Sequence, residues 1–335
     1  MLIKLEKLNA EEDGRLPDVK LVRYEISVPS VTDYKLSEPN SLLLDMPEWS
    51  VDGGYLHKKE ELMRIDERVR TQLGLPLKRT KAVQPWAVKD APESNTLYLR
   101  FTFNSEIEYE GAELALENLH KSSVTFNGKK TDTTKTGYYV DREIHTCALP
   151  KIEKGENVLE ISMPFGIRTD AENCFILGRF GTAYRGREAY ITKLPEKLSF
   201  GDVVHQGLAF YGANLTYDTV LNLDEDTALE FEISYYRGAL VRVDVDGESV
   251  GYIWKSPFRL VSDTLSAGEH KVSFTVFGNR YNTFSALHTL LADKKDVYMG
   301  PDFWRSSGFG WSYEYNTRPM GILKTPVIRK IRKEK

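Results

Sequence analysis

From Leu97 onward the apolar residues of this chain recur at every second position, and that period constrains the fold more than any other feature. Leu97, Leu99, Phe101 and Phe103 alternate with Tyr98, Arg100 and Thr102. Period two sends successive side chains to opposite faces of an extended strand, so one face can be buried while the other is solvated. The run at residues 124–126 enters the turn pair Asn127-Gly128, and residues 158–163 follow Lys154-Gly155-Glu156. A second series begins near Gly207. It comprises residues 208–221, 228–235 and 240–245 before Asp246-Gly247, residues 252–254, and residues 271–277 after Ala267-Gly268-Glu269. Asn-Gly and Asp-Gly between alternating runs are strong signals for tight antiparallel hairpins.

The two series read as one module written twice. Asn127-Gly128, Tyr138-Tyr139, Pro150 and Gly155-Glu156 answer in order to Asp246-Gly247, Tyr252 with Trp254, Pro257, and Gly268-Glu269. Two β-sandwich domains are the economical solution, with an expected boundary between Leu194 and Gly207. Residues 86–200 form the first domain and residues 201–335 the second. Residues 1–85 stand apart as an N-terminal segment, with extended runs at residues 19–28 and 41–44 and one amphipathic helix. In that helix, expected over residues 58–73, Leu62, Ile65, Val69 and Leu73 recur at spacings of three and four. Glu60, Glu61, Arg64, Glu67, Arg68 and Arg70 fall on its other faces, and Gly74 and Pro76 stop it. No strongly periodic helix follows, which excludes a parallel α/β fold. Further strands are expected at residues 311–315 and 322–331.

Composition narrows the function. Lys and Arg number 45 and Asp and Glu 49 in 335 residues, a formal charge of −4. A duplex nucleic-acid binder needs a clustered basic excess, and the only basic cluster is residues 329–335, read as a solvated tail. No stretch reaches the roughly 18 apolar residues of a membrane span, and the first residues lack the apolar core of a signal peptide. The expectation is a cytoplasmic protein with neither nucleic acid nor membrane as partner. Cys147 and Cys174 are two small buried thiols rather than a disulfide framework, and the six histidines show no metal-ligand spacing.

At Ser123 to Gly128 and Lys154 to Ile161, repeated as Arg242 to Gly247 and Ala267 to Phe274, the sequence resembles the galactose-binding-like jelly-roll modules of large bacterial glycoside hydrolases, such as the sugar-binding domain of the family 2 enzymes. Leu42 to Asp45, Val51 to Gly54, the helix up to Arg70 and Gln84-Pro85-Trp86 are similar to the segment that follows the catalytic barrel in multidomain glycosidases, including those similar to α-L-rhamnosidases. The resemblance covers residues 42–328 and lacks the barrel. It implies an all-β protein that is the non-catalytic, carbohydrate-binding or structural portion of a glycoside hydrolase. The alternative is a subunit that assembles with a catalytic glycosidase chain and helps complete its active site; an autonomous sandwich glycosidase or lyase ranks below both.

The chemistry available to such a module is limited. Glycoside hydrolysis needs two carboxyl groups about 5 to 10 Å apart, and Glu106, Glu108 and Glu110 at spacing two would share a strand face, although a solvated face is the simpler reading. Asp224, Glu225 and Asp226 offer oxygens for a structural calcium. There is no nucleophile elbow, phosphate loop or dinucleotide fingerprint, so no catalytic residue is assigned and no cofactor beyond that calcium. The strongest binding candidate is the aromatic run near residue 310, with Trp304, Arg305, Trp311 and Tyr313. Rings there could stack on the C–H faces of a sugar or serve as core between domains. Tyr184 and Arg185, in the loop at residues 180–190, form a second candidate.

Overall fold

The computed structural model describes residues 21–77, 92–169, 171–290 and 307–333. The fold is all-β, two sandwiches with separate apolar cores. In the first, a seven-stranded sheet orders Gly181–Arg185, Glu188–Thr192, Asn95–Ser105, Gly155–Phe165, Ser123–Phe126 and Lys129–Lys130, with Glu48–Val51 also paired to Asn95–Ser105. The alternation at residues 97–103 acts as expected: Leu97, Leu99, Phe101 and Phe103 are buried, and Asn95–Ser105 pairs with Gly155–Phe165 in unbroken register. The facing sheet orders Asn40–Leu44, Cys174–Gly178, Glu113–Leu116, Asp141–Ala148 and Gly137–Tyr139.

The second sandwich faces a six-stranded sheet, Leu198–Ser199, Val31–Leu36, Leu215–Leu223, Gly268–Val276, Val241–Val245 and Glu248–Ile253, against a four-stranded one, Leu21–Ile26, Val327–Lys333, Thr227–Glu232 and Arg259–Leu265. The stretch before residue 86 therefore does not stand apart. Its strands Leu21–Ile26 and Val31–Leu36 belong to the second sandwich, and Asn40–Leu44 and Glu48–Val51 to the first. Every neighbouring pair is antiparallel except Glu188–Thr192 against Asn95–Ser105.

The repeat read in the sequence has one physical device in both copies. Asn127 and Gly128 take φ of 48° and 74°, Asp246 and Gly247 φ of 52° and 89°. In each copy the turn's first side chain accepts a backbone N–H from the strand that follows the Gly-Glu turn: Val158 N to Asn127 Oδ1 at 2.8 Å, and Lys271 N to Asp246 Oδ1 at 2.8 Å. A short polar side chain that tolerates the left-handed region and caps a neighbouring strand explains why Asn and Asp occupy these positions.

Asn40–Leu44 and Cys174–Gly178 are buried on both faces, because segments from between strands of the second sandwich pack over them. The Phe284 ring lies 5.3 Å from that of Phe175, and Ser41 Oγ donates to the Phe210 carbonyl at 3.2 Å. Leu287 and Tyr315 join the first core. The sandwiches are thus tied by chain that crosses from one to the other. Expected strand 311–315 is absent: Gly308–Gly310 is a single 3-10 turn, and Trp311 makes only an isolated bridge to Thr289.

The helix begins later than its periodicity predicts, at Leu62, and runs to Leu73. Residues 58–61 stay extended because Glu60 N and Leu62 N donate to the carbonyls of Pro47 and Asp45, both at 3.0 Å. Glu61 caps the helix by accepting Arg64 N–H at 3.1 Å, and Gly74, at φ 68°, ends it. Arg70, expected on a solvated face, is fully buried. Its guanidinium donates to Asp66 Oδ2 at 2.7 Å and to the carbonyls of Ile167 and Thr169 at 3.2 and 2.6 Å. Charge placed it outside on the helical pattern; complete pairing lets it stay inside. No helix of the described residues is long and apolar enough to cross a membrane.

Two stability changes are expected. Arg70→Ala leaves Asp66 and two carbonyls without their donor and should cost about 3–5 kcal/mol, read as a lowered midpoint in urea unfolding. Ile328→Ala, in an inner strand of the four-stranded sheet, should cost about 2–5 kcal/mol without changing the far-ultraviolet spectrum of the folded state.

Candidate functional site

The hairpin formed by Gly181–Arg185 and Glu188–Thr192 stands over the end of Asn95–Ser105 and the residues that follow Asn40–Leu44. Gly186 at its tip adopts φ 59°, which sends Arg185, Arg187 and Glu188 along one rim of a cavity of about 410 Å³. That volume lies within the 300–1,000 Å³ usual for small-molecule sites. Glu106 and Glu156 complete the exposed rim, while Leu43, Asp45, Phe101, Phe103 and Tyr315 form a buried floor. Among the described residues no ion-pair partner is found for Arg185, Glu106, Glu156 or Glu188.

The polar floor is a fixed network. Tyr315 Oη donates to Asp45 Oδ1 at 2.6 Å, and His288 Nε2 lies 3.2 Å from Asp45 Oδ2. His288 Nδ1 faces the Ser312 carbonyl at 2.9 Å. Burial alone would lower the His288 pKa, but the hydrogen bond to Asp45 and the charges of Asp45 and Glu61 outweigh it and leave it raised. Behind Asp45, Glu61 is pushed up to about 7, chiefly by burial; the His288 charge opposes this, and the Asp45 charge reinforces it. Burial and Asp45 also hold the Tyr315 hydroxyl well above the usual phenol range.

The expected site residues divide. Arg185 lines the cavity. Tyr184 does not: its hydroxyl bonds Thr317 Oγ1 at 2.6 Å and its ring meets Tyr315 edge-on at 5.4 Å, so it supports the floor from outside. Trp311 and Tyr313 touch each other at 4.5 Å, the first half-buried and the second exposed, and each ring carries a cation against its face. The Arg64 guanidinium sits 4.2 Å from the Trp311 centroid, and Arg187 sits 5.3 Å from that of Tyr313. Trp304 and Arg305 lie outside the described residues. Of the three acids at spacing two, only Glu106 reaches the cavity, since the strand ends at Ser105 and Glu108 turns to Lys151 at 2.7 Å.

The acidic run at residues 224–226 is spent on turns and pairing. Asp226 Oδ1 accepts Ala267 N–H at 2.8 Å, and Asp224 pairs with Lys330. Among the described residues no group of three His, Cys, Asp or Glu side chains is placed to hold a metal ion. Cys147 and Cys174 are buried free thiols, the first pushed up to about 11 mainly by burial. Asp45, His288 and Glu61 carry no local signal in the sequence: each is a lone residue whose partners are far away along the chain.

No protein-family model matches the chain, and no curated protein does. Among solved structures it is similar to a rhamnosidase from Novosphingobium sp. PP1Y, at 13% identity and a TM-score of 0.29, over 72% of this chain and 23% of that one. It is similar to a β-D-mannosidase from Dictyoglomus thermophilum, at 14% identity and a TM-score of 0.25, over 71% of this chain and 31% of that one. A family 2 β-galacturonidase from Eisenbergiella tayi gives 11% identity and 0.25, over 75% and 38%. The chain thus spans less than two fifths of the length of each of these three proteins. A likeness this distant assigns neither activity nor ligand.

Proposed function

We propose that the chain is a non-catalytic carbohydrate-binding part of a glycoside-hydrolase system, with the cavity under the Gly181–Arg185 hairpin as its sugar site. The observation that carries this reading is the coexistence on one rim of Arg185 with Glu106, Glu156 and Glu188, none ion-paired among the described residues. Guanidinium groups only donate hydrogen bonds and carboxylates only accept them, whereas each hydroxyl of a sugar does both. A polyhydroxyl ligand can engage the whole rim. An anion would face the carboxylates, and a cation would face Arg185, so a neutral sugar fits best. The non-catalytic part of the reading rests on Asp45 and Glu61. Both oxygens of Asp45 are engaged by Tyr315 and His288, and Glu61 caps the helix behind the cavity wall. The hydrolytic groups would then belong to a partner glycosidase chain.

Titration calorimetry with a neutral hexose, a deoxyhexose, a uronate and an amino sugar tests the reading. A neutral sugar should bind with a dissociation constant of about 1 mM or tighter, and the charged sugars more weakly. Arg185→Ala and Glu188→Gln should each weaken binding by about 5–10-fold, roughly 1 kcal/mol, with unchanged melting temperature. No binding of any neutral sugar at about ten times that concentration would overturn it. Aryl-glycoside turnover should stay at background; turnover lost in Glu106→Gln would show an enzyme instead.

A further inference from the structure

Tyr315 reaches the cavity from a stretch of chain that belongs to neither sheet of the first sandwich. What holds it there is a cluster of four side chains, each at least nine-tenths buried: Asp45, Glu61, His288 and Tyr315. His288 is the informative member. Its Nδ1 faces a backbone carbonyl and its Nε2 a carboxylate, and both of these only accept hydrogen bonds. A neutral imidazole has one N–H and could satisfy only one of them. The observed arrangement calls for the imidazolium.

Glu61 faces the same cluster from the helix, with Asp45 and His288 as its charged neighbours and the Met63 and Arg64 N–H groups on its oxygens. Beyond it, Glu60 is bonded to Arg64 at 2.9 Å and Arg68 at 2.7 Å, and Tyr313 Oη points at Glu60 from 3.4 Å. With the His288 imidazolium set against the Asp45 carboxylate and Glu61 protonated, the buried set is neutral. Removing the proton from Glu61 leaves a net negative charge on a buried set, and removing one from His288 also breaks a contact to Asp45 or to Ser312.

We infer that the cavity floor is proton-locked: Tyr315 and Asp45 are fixed while Glu61 and His288 carry their protons, and loss of those protons as the pH rises through neutrality loosens the Tyr315 segment and weakens ligand binding. The sign follows from linkage. Both groups hold protons more tightly folded than unfolded, so the stability they confer is complete below their unfolded values and is lost as the pH rises through the folded ones. For Glu61 that window runs from the ordinary carboxyl value of 4.5 to about 7, and for His288 it lies above 6.5. The two titrate as a coupled pair. The ligand half of this inference rests on the sugar-binding reading; the lock does not.

Hydrogen exchange without ligand tests the lock. The amides of Ser312 and Asn316 bond across the segment, to the carbonyls of His288 at 2.9 Å and Leu287 at 2.6 Å. After correction for intrinsic rates, their protection should fall about tenfold or more from pH 6 to pH 8, while amides in Gly155–Phe165 stay constant. Glu61→Gln, which keeps an acceptor for Arg64 N–H and cannot ionise, should remove most of that fall. In a neutral-sugar titration the wild type should weaken about tenfold over the same range and Glu61→Gln should stay flat. Wild-type protection independent of pH, or an undiminished fall in a folded Glu61→Gln, overturns the lock. The wild-type comparison decides even if the variant does not fold. If no sugar binds at either pH while the exchange result holds, the sugar-binding reading fails and the lock stands.

Discussion

The pairing of Leu21–Ile26 with Val327–Lys333 is the contact on which the architecture depends. Val327–Lys333 is an inner strand, flanked on its other side by Thr227–Glu232, so the four-stranded sheet exists only when segments from opposite ends of the described chain meet. Charge reinforces the register. Arg329 reaches Glu230 at 3.0 Å and Glu232 at 2.7 Å, and Arg23 reaches Glu230 at 3.1 Å, across three adjacent strands. Exposed pairs of this kind contribute little individually. Here Glu230 is buried, and an unpaired carboxylate in its place would oppose any other register.

Asp45 plays the matching part at the cavity. Its carbonyl anchors the start of the helix, one carboxylate oxygen holds Tyr315 and the other His288. Three other stretches of chain, at residues 62, 288 and 315, therefore converge on one residue that also faces the cavity. A ligand contacting the rim would meet a floor whose position is set by buried charge, which on the proposed reading couples the sugar site to the interior of the protein.

Much of the fold is written locally. The period of two at residues 97–103 contains a strand with a buried face, and the repeated Asx-Gly and Gly-Glu turns contain the hairpins, because dihedral preference and alternation are properties of a few adjacent residues. Pairing partners are not local. Nothing in residues 21–36 says that they lie beside strands beyond residue 198 rather than next to residues 40–51. The same limit applies to the site. Arg185 is legible as a cation in an aromatic turn, whereas Asp45 and His288 acquire meaning only at 3.2 Å from each other. Arg70 and Glu61 show the converse error, in which charge argues for solvent and a complete set of partners permits burial. Trp311 and Tyr313 alternate like strand residues, yet the Gly308–Gly310 turn gives them no sheet to join.

The interleaving of the two sandwiches has a consequence in time. Synthesis proceeds from residue 21 toward residue 333 at on the order of 5–20 residues per second. The described strands of the first sandwich, from Asn40–Leu44 to Glu188–Thr192, are complete well before the second, so it can collapse early. Leu21–Ile26 and Val31–Leu36 leave the ribosome before any of it, and their sheets cannot close until strands beyond residue 198 are made. Until then they are unsatisfied edges, the state in which strands pair with the wrong chain. Lys35, Arg23 and Glu25, which interrupt the apolar residues of those two strands, are placed where charge keeps a waiting strand from pairing prematurely.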